Sequence, residues 1–403
     1  MDVAAGIDVA KEFHWAVATR VDPDTGKAVV VLSRRVDNVP GEIAALADEL
    51  AGLAGPASSV QVGIDMVGGI ARLLEVMLAD AGLDVVHVPG LMVKTARRAA
   101  RGGEHKSDPR DARVIADQVR SRDDLRPLAP IGELDAQLGL LVSRRKDLVR
   151  EQTRRIARLR DLLCSIHPGL ERVTDPTNKA DLELLARYVT AAEIRHAGKA
   201  RILASLRHTG RYRAEALGSL IAVAVAASQQ HTVTVPGERT AAAIIKNLAG
   251  ECLAARGKIS ALDTEIAQVL DSHPDAALIA TLPGMGAVLT AELLAVAGGL
   301  SRFTSGDHLA AAAGLAPALV QSGKVRYLHR PLTGDRALKR VFYQSAFCAL
   351  PHDPASRAFY DRKRAEGKRH HQALIALARR RINVLYAMLR DRQPYQARIR
   401  EAA

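Results

Sequence analysis

The sequence predicts an α/β domain at the N-terminus followed by an α-helical remainder. Three observations predict it. Apolar runs of strand length open the chain, and strand-type and helix-period segments then alternate. Past residue 126, spacings of three and four dominate. The 403 residues, 48% of them hydrophobic, exceed what one simple core accommodates, so three domains are expected, over 1–125, 126–275 and 276–403.

Within the first domain, Val3 to Ala10, Phe13 to Val21 and Ala28 to Val36 read as a three-strand meander, with Asp22-Pro23-Asp24-Thr25-Gly26 as a turn. Val39 to Leu53 has helical spacing at Ile43, Leu46, Leu50 and Leu53. Ser59 to Met66 returns as a buried strand, Ile70 to Ala81 as a helix and Asp84 to Val88 as a strand. A helix follows from Lys106 to Arg120, opened by Pro109 and capped by Ser107 or Asp108, because proline lacks only an N–H that would be unpaired there anyway.

Four acids stand out. Asp8 and Asp65 each follow Gly-Ile in an apolar strand, where a charge is costly to bury unless compensated. Asp108 and Asp111, three apart, can point the same way from a helix start flanked by Lys106, Arg110 and Arg113. Each taken alone reads as a strand end facing water or a capped surface helix. Together, at one edge of a mixed sheet, they would form an all-oxygen cage suited to Mg²⁺.

The net charge of +13 points to a polyanionic partner, nucleic acid or an anionic membrane. Ala216 to Ala227 is too short to span a bilayer and reads as a buried helix, so no membrane partner is expected. Met1-Asp2-Val3 lacks the marks of a signal peptide and Cys164, Cys252 and Cys348 lack ligand spacing, which predicts a reduced cytoplasmic setting. Aromatics are 3% of the chain, which favours phosphate contact over base stacking.

The middle region reads as helical. Leu134 to Leu163 forms an amphipathic arm, and Ile245, Leu248, Cys252, Ala255, Ile259, Leu262, Ile266 and Val269 form a coiled-coil seam. Pairing within one chain and pairing between chains both satisfy that spacing. The insert from Asp175 to Val235 adds helices and a basic cluster at Arg201, Arg207, His208, Arg211 and Arg213, by default a solvated face.

In the last third, Leu282-Pro283-Gly284-Met285-Gly286 resembles a helix-hairpin-helix turn, whose glycines let amides approach a phosphate; the alternative is an ordinary turn between packed helices. Ser322 stands before Gly323 with Lys324, Arg326, His329 and Arg330 nearby, followed by Arg336, Lys339 and Arg340. A serine attacking phosphate needs such exposure and such cations. The basic tail from Arg357 to Arg381 suits phosphate contact.

Gly6-Ile7-Asp8-Val9-Ala10-Lys11, Gly63-Ile64-Asp65-Met66-Val67-Gly68-Gly69 and Lys106-Ser107-Asp108-Pro109-Arg110-Asp111-Ala112 resemble the DEDD motifs of the insertion sequence 110 family of transposases. Pro-Gly-x-Gly, Gly-Leu-x-Pro, Gln-Ser-Gly and a Gly-x-x-x-Leu-Lys-Arg helix are similar, in that order, to the family's transposase domain. The resemblance implies a RuvC-like RNase H fold for 1–125 and a transposase domain with a serine nucleophile for 276–403. Asp65 stands where the family commonly has Glu, one methylene longer. Carried over by residue, Asp8, Asp65, Asp108 and Asp111 would hold Mg²⁺ and Ser322 would become transiently esterified to DNA. Nucleic-acid contacts are expected at Lys106, Arg110, Arg113, Gly284, Gly286, Lys324, Arg326, Arg336, Lys339 and Arg340. The expected partners are double-stranded donor and target DNA, a noncoding bridge RNA and further copies of the chain, as a dimer or tetramer. Two rivals stand beside this reading: a RuvC-like, metal-dependent structure-specific endonuclease with water as nucleophile, and a non-catalytic DNA-binding protein.

Overall fold

The computed structural model describes residues 3–54, 59–99, 105–128, 131–208, 212–299, 303–323, 325–329, 331 and 333–397. Two compact units divide the chain, Met1–Pro130 and Ile131–Ala403.

The first unit contains β1 (Val3–Asp8), β2 (Phe13–Val21), β3 (Ala28–Asp37), α1 (Pro40–Gly52), β4 (Val60–Ile64), α2 (Arg72–Asp80), β5 (Asp84–His87), α3 (Gly90–Ala99), α4 (Asp108–Ser121) and β6 (Arg126–Pro127). The meander and the alternation are as the sequence predicts; α3 and the short β6 are additional. The sheet order is β3-β2-β1-β4-β5-β6. β1, β4 and β5 run parallel, and β2, β3 and β6 antiparallel to their neighbours.

Strand alternation divides β1 between two cores. Val3, Ala5 and Ile7 pack with Ile43, Leu46 and Leu50 of α1 and Leu74 and Leu78 of α2. Ala4 packs on the other face with Val93 of α3 and Ile115 and Val119 of α4. Gly6 and Asp8 share the parity of Ala4, so Asp8 lies on the face that α4 covers. Both Gly-Ile-Asp glycines are there for that helix. A Cβ on Gly6 would stand 2.2 Å from the carbonyl oxygen of Ala112, and one on Gly63 2.4 Å from a methyl of Val119. Without side chains at 6 and 63, α4 lies flat across the parallel pair.

The second unit contains α5 (Glu133–Ile166), α6 (Pro168–Val173), α7 (Lys179–Leu185), α8 (Ala191–Arg207), α9 (Ala214–Gln230), α10 (Glu238–Asp271), α11 (Ala276–Ala280), α12 (Ala287–Ala297), α13 (Gly306–Ala312), β7 (Ala318–Ser322), β8 (Val325–His329), α14 (Arg336–Ala349), α15 (Pro354–Ala365) and α16 (His370–Asp391). A hydrogen bond between His273 and Asp135 (3.2 Å) and an ion pair at Arg155–Glu251 (2.8 Å), with Arg145–Asp263 between them, show α5 and α10 running antiparallel within the chain.

At one end of this pair Leu159, Leu163, Ile245 and Cys252 join the core of α6 to α9. At the other, Leu138, Val142, Ile266 and Leu270 join the core of α11 to α16. Both long helices serve both cores, so the boundary expected near residue 275 falls inside this unit. Of the seam positions, Ile245, Cys252, Ala255 and Ile266 are buried, whereas Leu248, Ile259, Leu262 and Val269 are half-buried. Among the described residues no helix is long and apolar enough to cross a membrane.

Candidate active site

The parallel register pairs Gly6 with Gly63 and Ile7 with Ile64, so Asp8 and Asp65 emerge side by side at the ends of adjacent strands. The amide of Val9 donates to Asp65 Oδ1 at 3.3 Å and ties the two turns together. α4 begins at Asp108, with Ser107 at the N-cap position making no side-chain cap bond and Pro109 in the first turn. Asp111 is buried at 5% exposure on the same helix.

Electrostatics report how near these groups are. Burial, then the charges of Asp65, Asp111 and Asp108 in that order, push the Asp8 carboxyl up to about 7; Lys106 opposes them. Asp65 is also raised, chiefly by burial, with Asp111 adding to it. Like charges at close quarters and poor hydration both disfavour the ionised form.

Two neighbours were missed by the sequence reading. Arg97 of α3 places one Nη1 at 2.6 Å from both carboxylate oxygens of Asp111. His87, aligned with Ile64 in the β4–β5 register, lies beside Asp65, and burial holds its imidazole below the ordinary range. An Arg-Arg pair on an amphipathic helix and a His at a strand end carry no signal that distinguishes them from solvated residues.

Among the described residues, no three acidic, His or Cys groups are drawn together as a finished metal cage. The acids are neighbours, and Asp111 is held by Arg97. The donor set nonetheless fits a hard dication: it is all oxygen, and Asp8 and Asp65 are both raised by burial and by neighbouring acids, which a bound cation would offset.

The cations proposed around this cluster differ in their engagement. Lys106 is exposed and acts on Asp8. Arg113 donates to the carbonyl oxygen of Ala28 at 3.2 Å and pairs with Asp117, which turns it back onto the fold; Arg110 is also engaged.

Ser322 ends β7, aligned with Val325 at the start of the antiparallel β8. Gly323 takes φ +56°, in the left-handed region that favours glycine. The sequence reading expected a turn here but not the strands, because β7 and β8 are five residues each and have no alternation. Ser322 and Arg326 are exposed. Leu319, Val325, Tyr327 and Leu328 are also exposed, so little packing holds the hairpin beyond its own bonds. Its base is clamped where Gly314 and Gly334 meet too closely for a Cβ on either, and Asp335 donates its amide to Ala312 at 2.7 Å.

Arg336 is exposed, and Lys339 donates to the carbonyl oxygen of Gly314 at 3.1 Å. Arg340 pairs with Glu292 of α12, a carboxylate 2% exposed that Lys146 of α5 also approaches at 3.7 Å. Lys324, Arg330 and Arg211 lie outside the described residues.

At Gly284 the Pro-Gly-x-Gly turn packs closely on α14. That residue has φ +79°, and a Cβ on it would stand 2.5 Å from the carbonyl oxygen of Ser345 and 2.8 Å from the amide of Ala349. Its smallness is used against α14, as in a turn between packed helices. Arg381, expected in the basic tail's phosphate-binding face, is 2% exposed; it donates to Ser345 Oγ at 2.8 Å and to the Pro283 carbonyl. Burial lowers its guanidinium to about 10. Gly286 is the N-cap of α12, with open space where a Cβ would be.

Comparison with known proteins identifies the family. Residues 5–168 match a family model described as a transposase of the DEDD, IS110 type, and residues 276–361 match the transposase model of the IS116/IS110/IS902 family. The 42 kDa protein of insertion element IS900 from Mycobacterium paratuberculosis is 41% identical, covering 100% of this chain and 99% of its own. The 44.8 kDa protein of insertion element IS116 from Streptomyces clavuligerus is 39% identical over 96% of this chain and 94% of its own. A pilin gene-inverting protein of Moraxella lacunata is 34% identical over 36% of this chain and 47% of its own. The family models and the relatives of full length together show that the chain belongs to the IS110 family of insertion-element transposases.

Proposed function

We propose that the chain moves its element by breaking and rejoining DNA strands with Ser322 as nucleophile and a divalent cation held by Asp8, Asp65, Asp108 and Asp111. The carrying observation is the Ile7–Ile64 register, which sets Asp8 beside Asp65 on the face crossed by α4, with Asp8 raised to about 7 by burial and then by its acidic neighbours. Four carboxylates in a RuvC-like, RNase H-type sheet make Mg²⁺ the expected ion. When bound, it supplies positive charge to a scissile phosphate and to the oxygens around it.

The chain's own groups do the rest. Ser322 Oγ, exposed at the end of β7, gives up its proton and forms a bond to phosphorus while the bond to the leaving deoxyribose oxygen breaks and that oxygen takes up a proton. Arg326 and Arg336, both exposed, offer charge for flanking phosphates. Reversal of the same step by a different DNA end rejoins the strand and frees the serine. Family resemblance supports a bridge RNA that selects donor and target, leaving the protein to read backbone and shape.

The test is covalent trapping. Wild type incubated with Mg²⁺ and element-end DNA, then denatured, should yield a DNA-linked peptide containing Ser322, whereas Ser322→Ala should bind DNA and yield none. Linkage through another residue, or recombination by Ser322→Ala, refutes the serine role. Metal-dependent cutting without an adduct establishes water as the nucleophile instead. Sequencing RNA that copurifies with the protein tests the guide.

A further inference from the structure

Two polar side chains on the side of the sheet opposite α4 have no part in the chemistry proposed above. His14 of β2 is 0% exposed and shares the parity of Ala16 and Ala18, which pack with α1 and α2. Its Nδ1 accepts the amide of Ala10 at 3.3 Å, so the ring is neutral and carries its proton on Nε2. Burial, which holds this imidazole below its ordinary range, favours the same form. Glu75 is half-buried on α2 next to the buried Leu74, and its Oε1 accepts the amide of Gly68 at 2.5 Å. Gly68 and Gly69 stand at φ +70° and +56°, so little but this bond restrains a turn with glycine's freedom.

Both bonds fall on the turns that leave the acid-bearing strands. Ala10 follows Asp8 and Val9, and Gly68 follows Asp65, Met66 and Val67. The amide of Val9, next to the one that His14 holds, donates to Asp65 Oδ1 at 3.3 Å. Planar peptides joined at the Val9 Cα turn together within narrow limits, so fixing the Ala10 amide aims the Val9 amide at Asp65. We propose that His14 and Glu75 are positioning residues for the cation site: each pins the turn behind one acid, and together they set the direction in which Asp8 and Asp65 present their carboxylates. The inference rests on the reading of those two acids as cation ligands and adds the residues that orient them. Ligands act together only when held within about 0.5 Å of the productive geometry, and groups that hold them are worth about 10- to 100-fold in metal affinity.

The experiment titrates Mn²⁺ into the full-length protein without DNA and reads the free ion by electron paramagnetic resonance. Glu75→Met and His14→Leu remove the acceptor at similar size, whereas Glu75→Gln and His14→Asn keep an oxygen for the amide. Mn²⁺ affinity should fall about tenfold or more in the Met and Leu variants and return to within about threefold of wild type in the Gln and Asn variants. Urea unfolding in EDTA checks that each variant is folded; Glu75 is only half-buried, so Glu75→Met decides the matter if His14→Leu does not fold. Wild-type affinity in Glu75→Met and in a folded His14→Leu overturns the positioning role alone. So does a loss that Glu75→Gln fails to restore, because charge and not the bond to Gly68 is then what matters. Wild type that binds Mn²⁺ no better than Asp65→Asn overturns the cation site itself, and the positioning role with it.

Discussion

Replacing Asp8 by Asn should make the metal-free protein more stable while abolishing strand cleavage. In the folded protein the Asp8 carboxyl is raised from 3.8 to about 7 by burial and by Asp65, Asp111 and Asp108. Below about pH 4 both folded and unfolded states hold the proton, and nothing is gained or lost. Between about 4 and 7 the unfolded carboxylate ionises and the folded one does not, so wild-type stability falls as pH rises; above 7 the loss is complete. A rise from 3.8 to about 7 corresponds to a ceiling of about 4 kcal/mol. Asp8 is only half-buried and solvent screens its neighbours, which reduces the expectation to about 1–2 kcal/mol.

Asp8→Asn removes the ionisation at nearly constant shape. Urea unfolding in EDTA should therefore show the variant about 1–2 kcal/mol more stable than wild type at pH 8 and no more stable near pH 4. Added Mg²⁺ should stabilise wild type at pH 8 and have little effect on the variant, because a dication recovers the repulsion that the substitution abolishes. A variant less stable than wild type at pH 8, or a gain that does not depend on pH, would refute the assignment of mutually repelling acids at this sheet edge.

Three further outcomes are expected. Arg97→Met leaves buried Asp111 without its partner and should destabilise the metal-free protein by about 3–5 kcal/mol, and Mg²⁺ should raise its melting temperature more than that of wild type. Equal metal-induced shifts would show that Arg97 and the ion do not share Asp111. Gly284→Ala forces a Cβ against the backbone of α14 at a positive φ and should cost at least about 1–3 kcal/mol in thermal unfolding. A variant as stable as wild type that binds DNA less well would return that glycine to phosphate contact. Gly6→Ala should lift α4 from β1 and lower both stability and Mg²⁺-induced stabilisation, which unfolding with and without the ion measures.

Local pattern was enough to read most elements of the acidic domain from the sequence. Strand-length apolar runs and three-four spacing depend on neighbours within about a turn, so β1 to β5, α1, α2 and α4 were legible. The four aspartates were legible as well, because a charge in an apolar strand, or two charges at a proline-opened helix start, is anomalous in its immediate context. The long helices α5 and α10 announced themselves by length and period, but period alone could not say whether they paired with each other.

What the tertiary structure decided were the long-range pairings. Register between β1 and β4 sets Asp8 against Asp65; a slip of one residue would carry one acid to the opposite face. The same packing explains why glycine precedes each Ile-Asp, since both backbones lie under α4. Arg97 on Asp111, Glu292 beneath Arg340 and Arg381 under the Pro283–Gly284 turn are buried charges whose partners lie far away in sequence or on another helix. Gly284 shows the limit most directly. A positive-φ glycine in a turn is readable from sequence, but whether its open side faces a phosphate or α14 depends on which helix packs there, and that is a property of the folded chain alone.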